Sequence, residues 1–307
     1  YVLLIKEAYL SARVTELEEG LSDNEISLQL KKLGDAICEL EVSQEVLAQI
    51  ISVPSAQSLL SQIHKVDPVA LYHARHKIVK CLSHYMYAFC HDLYITLSQN
   101  QAAYKYEKTQ VNQRSLKNTC LHLLAYQENE KVSQIIRAQY TGANNMSDRL
   151  GALKASLVCC SALFNELMLE FEAQFGHDAV VMDKWFAMHG RSNKQDILAH
   201  LDLLQAHQQY SIKNPNKVRS LIGTFAFYNT LGFHKEDGSG YKYLADYLIT
   251  LDKINPQIAS RLITPFMQFS SYAEPNQVLI KKQLNRLFGV KGLSKDLFEK
   301  ISKALTQ

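Results

Sequence analysis

Apolar residues recur along most of this chain at spacings of three and four, the period of a helix with one buried face. The pattern is clearest over residues 214–265. Val218, Leu221, Ile222, Phe225 and Ala226 fall at i, i+3, i+4, i+7 and i+8, and Ile258, Leu262, Phe266 and Phe269 form a second stripe. Each stripe opens in the same way. Asn214-Pro215 and Asn255-Pro256 place a side-chain oxygen at the N-cap and a proline at the first helical position, where the missing N–H has no partner to lose. Pro265 withholds the N–H that the carbonyl of Arg261 would accept, which predicts a bend there.

The same reading predicts helices throughout. An amphipathic helix covers 2–18 and ends near Gly20, Ser22-Asp23-Asn24-Glu25 caps a helix over about 25–39, and Ser43 and Ser55 open two short ones around Pro54. Asp67-Pro68 starts the longest segment, to about 97. Residues 98–113 are the most polar stretch, and helical periodicity resumes over 116–139 in two pieces broken near Asn129. Asn145 and Asp148 cap a helix reaching 175, followed by helices over 180–190, from Ser192 or Asn193 to about 209, 276–288 and 294–305. Asp237-Gly238-Ser239-Gly240 reads as a turn into a helix carrying Tyr241, Leu244, Leu248 and Leu251. The two Asn-Pro starts lie 41 residues apart, inside the repeat length of about 40–47 residues of two-helix HEAT solenoids. The expected fold is all-α, a right-handed superhelix of stacked antiparallel helix pairs, HEAT-like, forming one domain over 1–307 with a possible seam near 98–115.

Composition supports this class and removes others. The chain has 307 residues, 47% hydrophobic, with only 6 prolines and 12 glycines, too few turn-formers for a sandwich or barrel. With 33 Lys+Arg against 30 Asp+Glu the net charge is +3, so neither a nucleic acid nor a membrane is expected as a partner. No apolar run approaches the roughly 18 residues of a membrane span. Cys38, Cys81, Cys90, Cys120, Cys159 and Cys160 show no C-x-x-C spacing and suit free thiols in a reducing compartment. The chain begins at Tyr1 in mid-pattern, so it is expected to be a piece of a longer one.

No catalytic constellation is visible in the residues. None of the eleven histidines forms H-E-x-x-H; His73/His76 and His84/His91 have no third ligand at helical spacing. Cys159-Cys160 sits among apolar residues, Gly238-Ser239-Gly240 lacks the strand and third glycine of a dinucleotide loop, and no G-x-S-x-G occurs. Arg219 sits at the margin of the first stripe, and Gln257 and Arg261, four residues apart, share a strip beside the second. An arginine beside a kink is a candidate site, and two readings stand for it: a side chain whose stem packs on the core while its head is wet, or a cationic handle beside the kinked helix.

At VMDKWF (181–186), NPNKVRSLIGTFA (214–226), FHKEDGSGY (233–241) and NPQIASRLITP (255–265) the sequence resembles the C-terminal domain of the bacterial alanyl aminopeptidase (aminopeptidase N) family of zinc metallo-aminopeptidases. RSLKNTCLHLLA (114–125), ANNMSDRLGAL (143–153) and GLSKDLFEKISKAL (292–305) extend the resemblance in the same order. Lys217 stands where the family motif more often has arginine. The resemblance implies a cytoplasmic enzyme that removes N-terminal residues from peptides. Its H-E-x-x-H zinc motif and G-A-M-E-N motif are expected upstream, in a catalytic domain absent from this piece. It also implies that this domain closes over that catalytic domain and controls access to an internal chamber. Arg219, Gln257 and Arg261 would then face the chamber and bind substrate, with no metal or catalytic residue here, zinc in the parent enzyme only, and peptide substrates and the catalytic domain as partners. The alternative is a stand-alone helical-repeat scaffold for protein–protein interaction.

Overall fold

A computed structural model describes residues 1–11, 22–60, 63–99 and 103–306. Among them every regular element is a helix, apart from one isolated bridge between Val66 and Tyr272, so the all-α expectation holds. Of the helix expected over 2–18, Val2–Ser11 is observed; 12–18 and Gly20 lie outside the described residues, as do 100–102 of the polar stretch.

The caps form as the residues dictate. Ser22 and Glu25 build a reciprocal capping box on Asp23–Cys38, Ser43 caps Gln44–Ile51, and Asn145 Oδ1 accepts from Asp148 N at 2.9 Å. Four segments differ from expectation, and in one of them the helix expected from Ser192 or Asn193 to about 209 is confined to Ile197–Gln205. The long segment from Asp67 is two helices, Pro68–Tyr85 and Tyr87–Ser98, divided at Met86 (φ −94, ψ 9). The segment to 175 is also two, Met146–Cys159 and Ser161–Phe175, because Cys160 is extended (φ −158, ψ 116). Lys108–Leu124 begins eight residues before Leu116, inside the polar stretch.

The chain forms two compact units, residues 1–55 with 73–171, and 56–72 with 172–307; the 98–115 stretch belongs to the first. In the first unit, Glu130–Gly142 and Met146–Cys159 run antiparallel: Ser133 Oγ lies 3.5 Å from Cys159 Sγ at one end, and Gln139 Nε2 donates to the Asp148 carbonyl at 2.8 Å at the other. Asp148 gathers a polar knot, taking Lys117 Nζ at 2.7 Å and Asn118 Nδ2 at 2.9 Å. A side chain at Gly151 would push Asn118 out of this knot, since an added Cβ would lie 2.0 Å from Asn118 Oδ1.

In the second unit the core is aromatic. Phe233 stacks on Phe266 at 6.1 Å and meets Tyr241 edge-on at 5.2 Å, all three wholly buried. Ser239–Asp252, Pro256–Leu262, Glu274–Phe288 and Lys295–Leu305 pack around one another. The carboxylate of Asp252, buried to 4% exposure, fixes the start of the last helix by accepting from Ser294 N at 2.7 Å and Ser294 Oγ at 2.6 Å.

Candidate functional site: an arginine-lined groove in the second unit

Both Asn-Pro starts are realised. Asn214 Oδ1 accepts from Asn216 N at 2.9 Å and Asn255 Oδ1 from Ile258 N at 3.1 Å, each followed by proline in the first turn. The helix that begins at Pro215 is not uniform. Pro215–Val218 widens into a π turn over Arg219–Gly223 before Thr224–Tyr228 resumes α geometry. The six residues from Leu221 to Ala226 are consecutively buried, more than one α-helical stripe would cover. One cause is Gly190 at the end of helix Ala179–Gly190: its missing Cβ would lie 2.7 Å from the Leu221 carbonyl oxygen, so the two backbones approach closely there. Asn229, also buried, ties the far end by donating to the Gly190 carbonyl at 3.0 Å and the Ser192 carbonyl at 2.9 Å.

Lys217 holds the near end. It is only 3% exposed; its ammonium lies 2.8 Å from Asp183 Oδ1, donates to the Ala179 carbonyl at 2.5 Å and sits over the Phe186 ring at 5.4 Å. This lysine is committed to the interior.

The expected bend at Pro265 is a break. Helix Pro256–Leu262 stops and Thr264–Met267 begins a new short turn. Thr264 Oγ1 donates to the Arg261 carbonyl at 2.7 Å, replacing the donor that Pro265 lacks.

Between the two broken helices lies a groove of about 270 Å³, with Arg219 and Arg261 among its walls and Phe227, Tyr228, Ile258 and Leu262 as the apolar remainder. Both arginines are exposed. Arg219 is braced against its own helix, Nε donating to the Pro215 carbonyl at 3.1 Å and Nη2 to Asn216 Oδ1 at 3.0 Å. Among the described residues, the Arg261 guanidinium makes no hydrogen bond or ion pair. Gln257 is exposed on the same helix as Arg261 but is not part of the groove wall. The structure therefore brings two of the three candidates together. Sequence reasoning missed a third cation at this place: the Arg191 guanidinium lies over the Tyr228 ring at 4.7 Å. No periodicity links the two residues, which come from different helices.

Two guanidinium groups and an apolar wall suit a ligand with a carboxylate or carbonyl oxygens beside an apolar group, since a guanidinium fork offers paired donors in one plane. His189 Nδ1 and His200 Nε2 are 3.0 Å apart, and burial depresses both pKa values, that of His200 to about 4. Cys159 is raised, chiefly by burial. Among the described residues no three His, Cys, Asp or Glu side chains gather in a way that could hold a metal, and no helix is long and apolar enough to cross a membrane.

Residues 6–306 match the family described as "Domain of unknown function (DUF3458_C) ARM repeats". The chain is 34% identical over 266 residues to aminopeptidase N of Escherichia coli K12, covering 86% of this chain and 30% of that protein. It is 35% identical over 280 residues to aminopeptidase N of Haemophilus influenzae, covering 90% and 31%. It thus spans about a third of the length of these relatives. In fold it is similar to a solved structure described as Legionella pneumophila aminopeptidase A in complex with aspartic acid, with a TM-score of 0.83 and 24% identity over 99% of this chain and 36% of that one. With an all-α chain matched almost from end to end, the protein belongs to the DUF3458_C family of ARM-repeat domains, the helical C-terminal region of aminopeptidase N.

Proposed function

We propose that this chain is the C-terminal domain of a cytoplasmic, zinc-dependent aminopeptidase N, where it caps the active-site chamber and controls which peptides reach the catalytic centre. The observation that carries this reading is the convergence of Arg219 and Arg261, from helix starts 41 residues apart, on one groove. An exposed guanidinium without a protein partner is a free donor for substrate oxygens, and its pairing with a second arginine gives such a groove polarity. Gln257, exposed beside Arg261, would add a neutral amide on the chamber wall outside the groove.

Among the described residues no cluster of His, Cys, Asp or Glu side chains could hold a zinc ion. The likeness to aminopeptidase N supports assigning the metal and the bond cleavage to the catalytic part of the parent chain. What these helices contribute is position: they hold the portion of a peptide that lies beyond the scissile bond.

Arg261→Ala in the full-length parent tests this. Charge-assisted hydrogen bonds are worth about 1.5–3 kcal/mol, discounted here by exposure to about tenfold in KM. KM should rise about tenfold for tripeptides and longer substrates and by less than about twofold for a single-residue amide, which is too short to reach the groove. Equal effects on both substrates would refute the assignment.

A further inference from the structure

The groove carries a feature that two arginines alone do not explain. Tyr228 is 56% exposed, yet its ring is held in place: the Arg191 guanidinium lies over it at 4.7 Å, and Phe227 stands next to it with ring centroids 6.2 Å apart. Arg191 is itself fixed at the C-cap of helix Ala179–Gly190, where a cation complements the helix dipole. A large aromatic ring left in water but braced by a cation is a preformed stacking surface, and ordering it in advance removes an entropy cost from binding.

Resting on the chamber-wall reading above, we propose that Tyr228, braced by Arg191, makes the groove selective for a carboxyl-terminal aromatic residue. The carboxylate goes to Arg219 and Arg261, and the planar side chain stacks against Tyr228 and Phe227. Size agrees with one residue rather than an extended chain. The groove's 270 Å³ lies just below the range of about 300–1,000 Å³ typical of small-molecule sites. Charge selects as well. Three guanidinium groups at or beside the walls disfavour a lysine or arginine side chain, while an aspartate would satisfy the arginines and leave the apolar wall uncovered.

Saturation-transfer difference NMR on the intact chain tests this without turnover, with N-acetyl-phenylalanine, N-acetyl-leucine, N-acetyl-aspartate and N-acetyl-phenylalaninamide as probes. N-acetyl-phenylalanine should bind about three- to tenfold more tightly than the leucine or aspartate compound, the range that aromatic pairing contributes beyond buried area. The amide should lose most of the binding. Tyr228→Leu should abolish the preference for phenylalanine over leucine, and Tyr228→Phe should keep it; both substitutions are at an exposed ring and leave the core untouched. No transfer to any probe, equal binding of phenylalanine and leucine compounds, or an unchanged preference in Tyr228→Leu each overturns the proposal. Because no peptide is cleaved, these results are independent of the length-dependent kinetics that test the parent assignment.

Discussion

Lys217→Met is the sharpest probe of how the groove's first helix is held. The substitution keeps an unbranched, apolar stem one atom shorter and removes the charge. It leaves the Asp183 carboxylate without its counter-ion and the Ala179 carbonyl without its extra donor. Removing one partner of a fully buried ion pair costs about 3–5 kcal/mol, because the other charge stays behind uncompensated. Here Lys217 is 3% exposed but the Asp183 side chain is 22% exposed, so water reaches part of the abandoned side chain although its Oδ1 is buried. The expected loss is therefore lower, about 2–4 kcal/mol. For a unit of this size each kcal/mol moves the thermal midpoint by about 2–4 °C, so a melt followed by circular dichroism should shift down by about 5–15 °C. The double variant Lys217→Met with Asp183→Leu should recover much of that loss, since the stranded charge is gone. A single variant that melts within about 2 °C of the parent would refute the reasoning. So would a double variant no more stable than the single one.

Two further predictions concern the second unit. Burial holds the His234 pKa at about 3 rather than near its usual 6.5, with Nδ1 2.7 Å from the Tyr241 hydroxyl. Between those values the unfolded chain binds a proton that the folded one refuses, so stability falls as pH drops from 6.5 toward 3, by about 1.4 kcal/mol per pH unit for this one group. Urea-unfolding free energies measured across that window should show a slope smaller by one proton in His234→Asn, and an unchanged slope would disprove it. Asp252→Ala removes the two acceptors that fix Ser294 and the start of helix Lys295–Leu305. It should lower the unfolding free energy by about 1.5–3 kcal/mol and speed hydrogen exchange in that helix more than elsewhere; uniform acceleration would refute the local role.

Much of the fold is legible in the residues because helix starts are written locally. Ser22 with Glu25, Asn145 with Asp148, and both Asn-Pro pairs need only their own neighbours to cap a turn. Helix interruptions without proline or glycine are not legible in that way. The apolar period runs unbroken through Met86, yet the helix divides there. Met86 is wholly buried, and a Cβ added to Gly34 would lie 3.3 Å from Met86 Cγ, a neighbour far away in sequence. The extended Cys160 likewise lies in a stretch whose apolar pattern continues. At the groove, spacing placed Gln257 and Arg261 on one strip, and both are exposed. It could not distinguish which of them borders a cavity, because the opposite wall comes from a helix some forty residues earlier. The interior role of Lys217 and the stacking of Arg191 on Tyr228 were hidden for the same reason: each depends on a partner from another helix.

The wide turn at Arg219–Gly223 has a consequence for how this helix tolerates change in length. A π turn accommodates one residue more than an α turn without rotating the turns beyond it. Deleting a single residue there would let the coil tighten to ordinary pitch while Phe225, Phe227 and Tyr228 keep their facing. The same deletion one turn later would swing the Phe227 and Tyr228 rings about 100° around the axis, the angle of one α-helical step. A one-residue deletion is thus absorbed within Arg219–Gly223 and felt fully downstream of it.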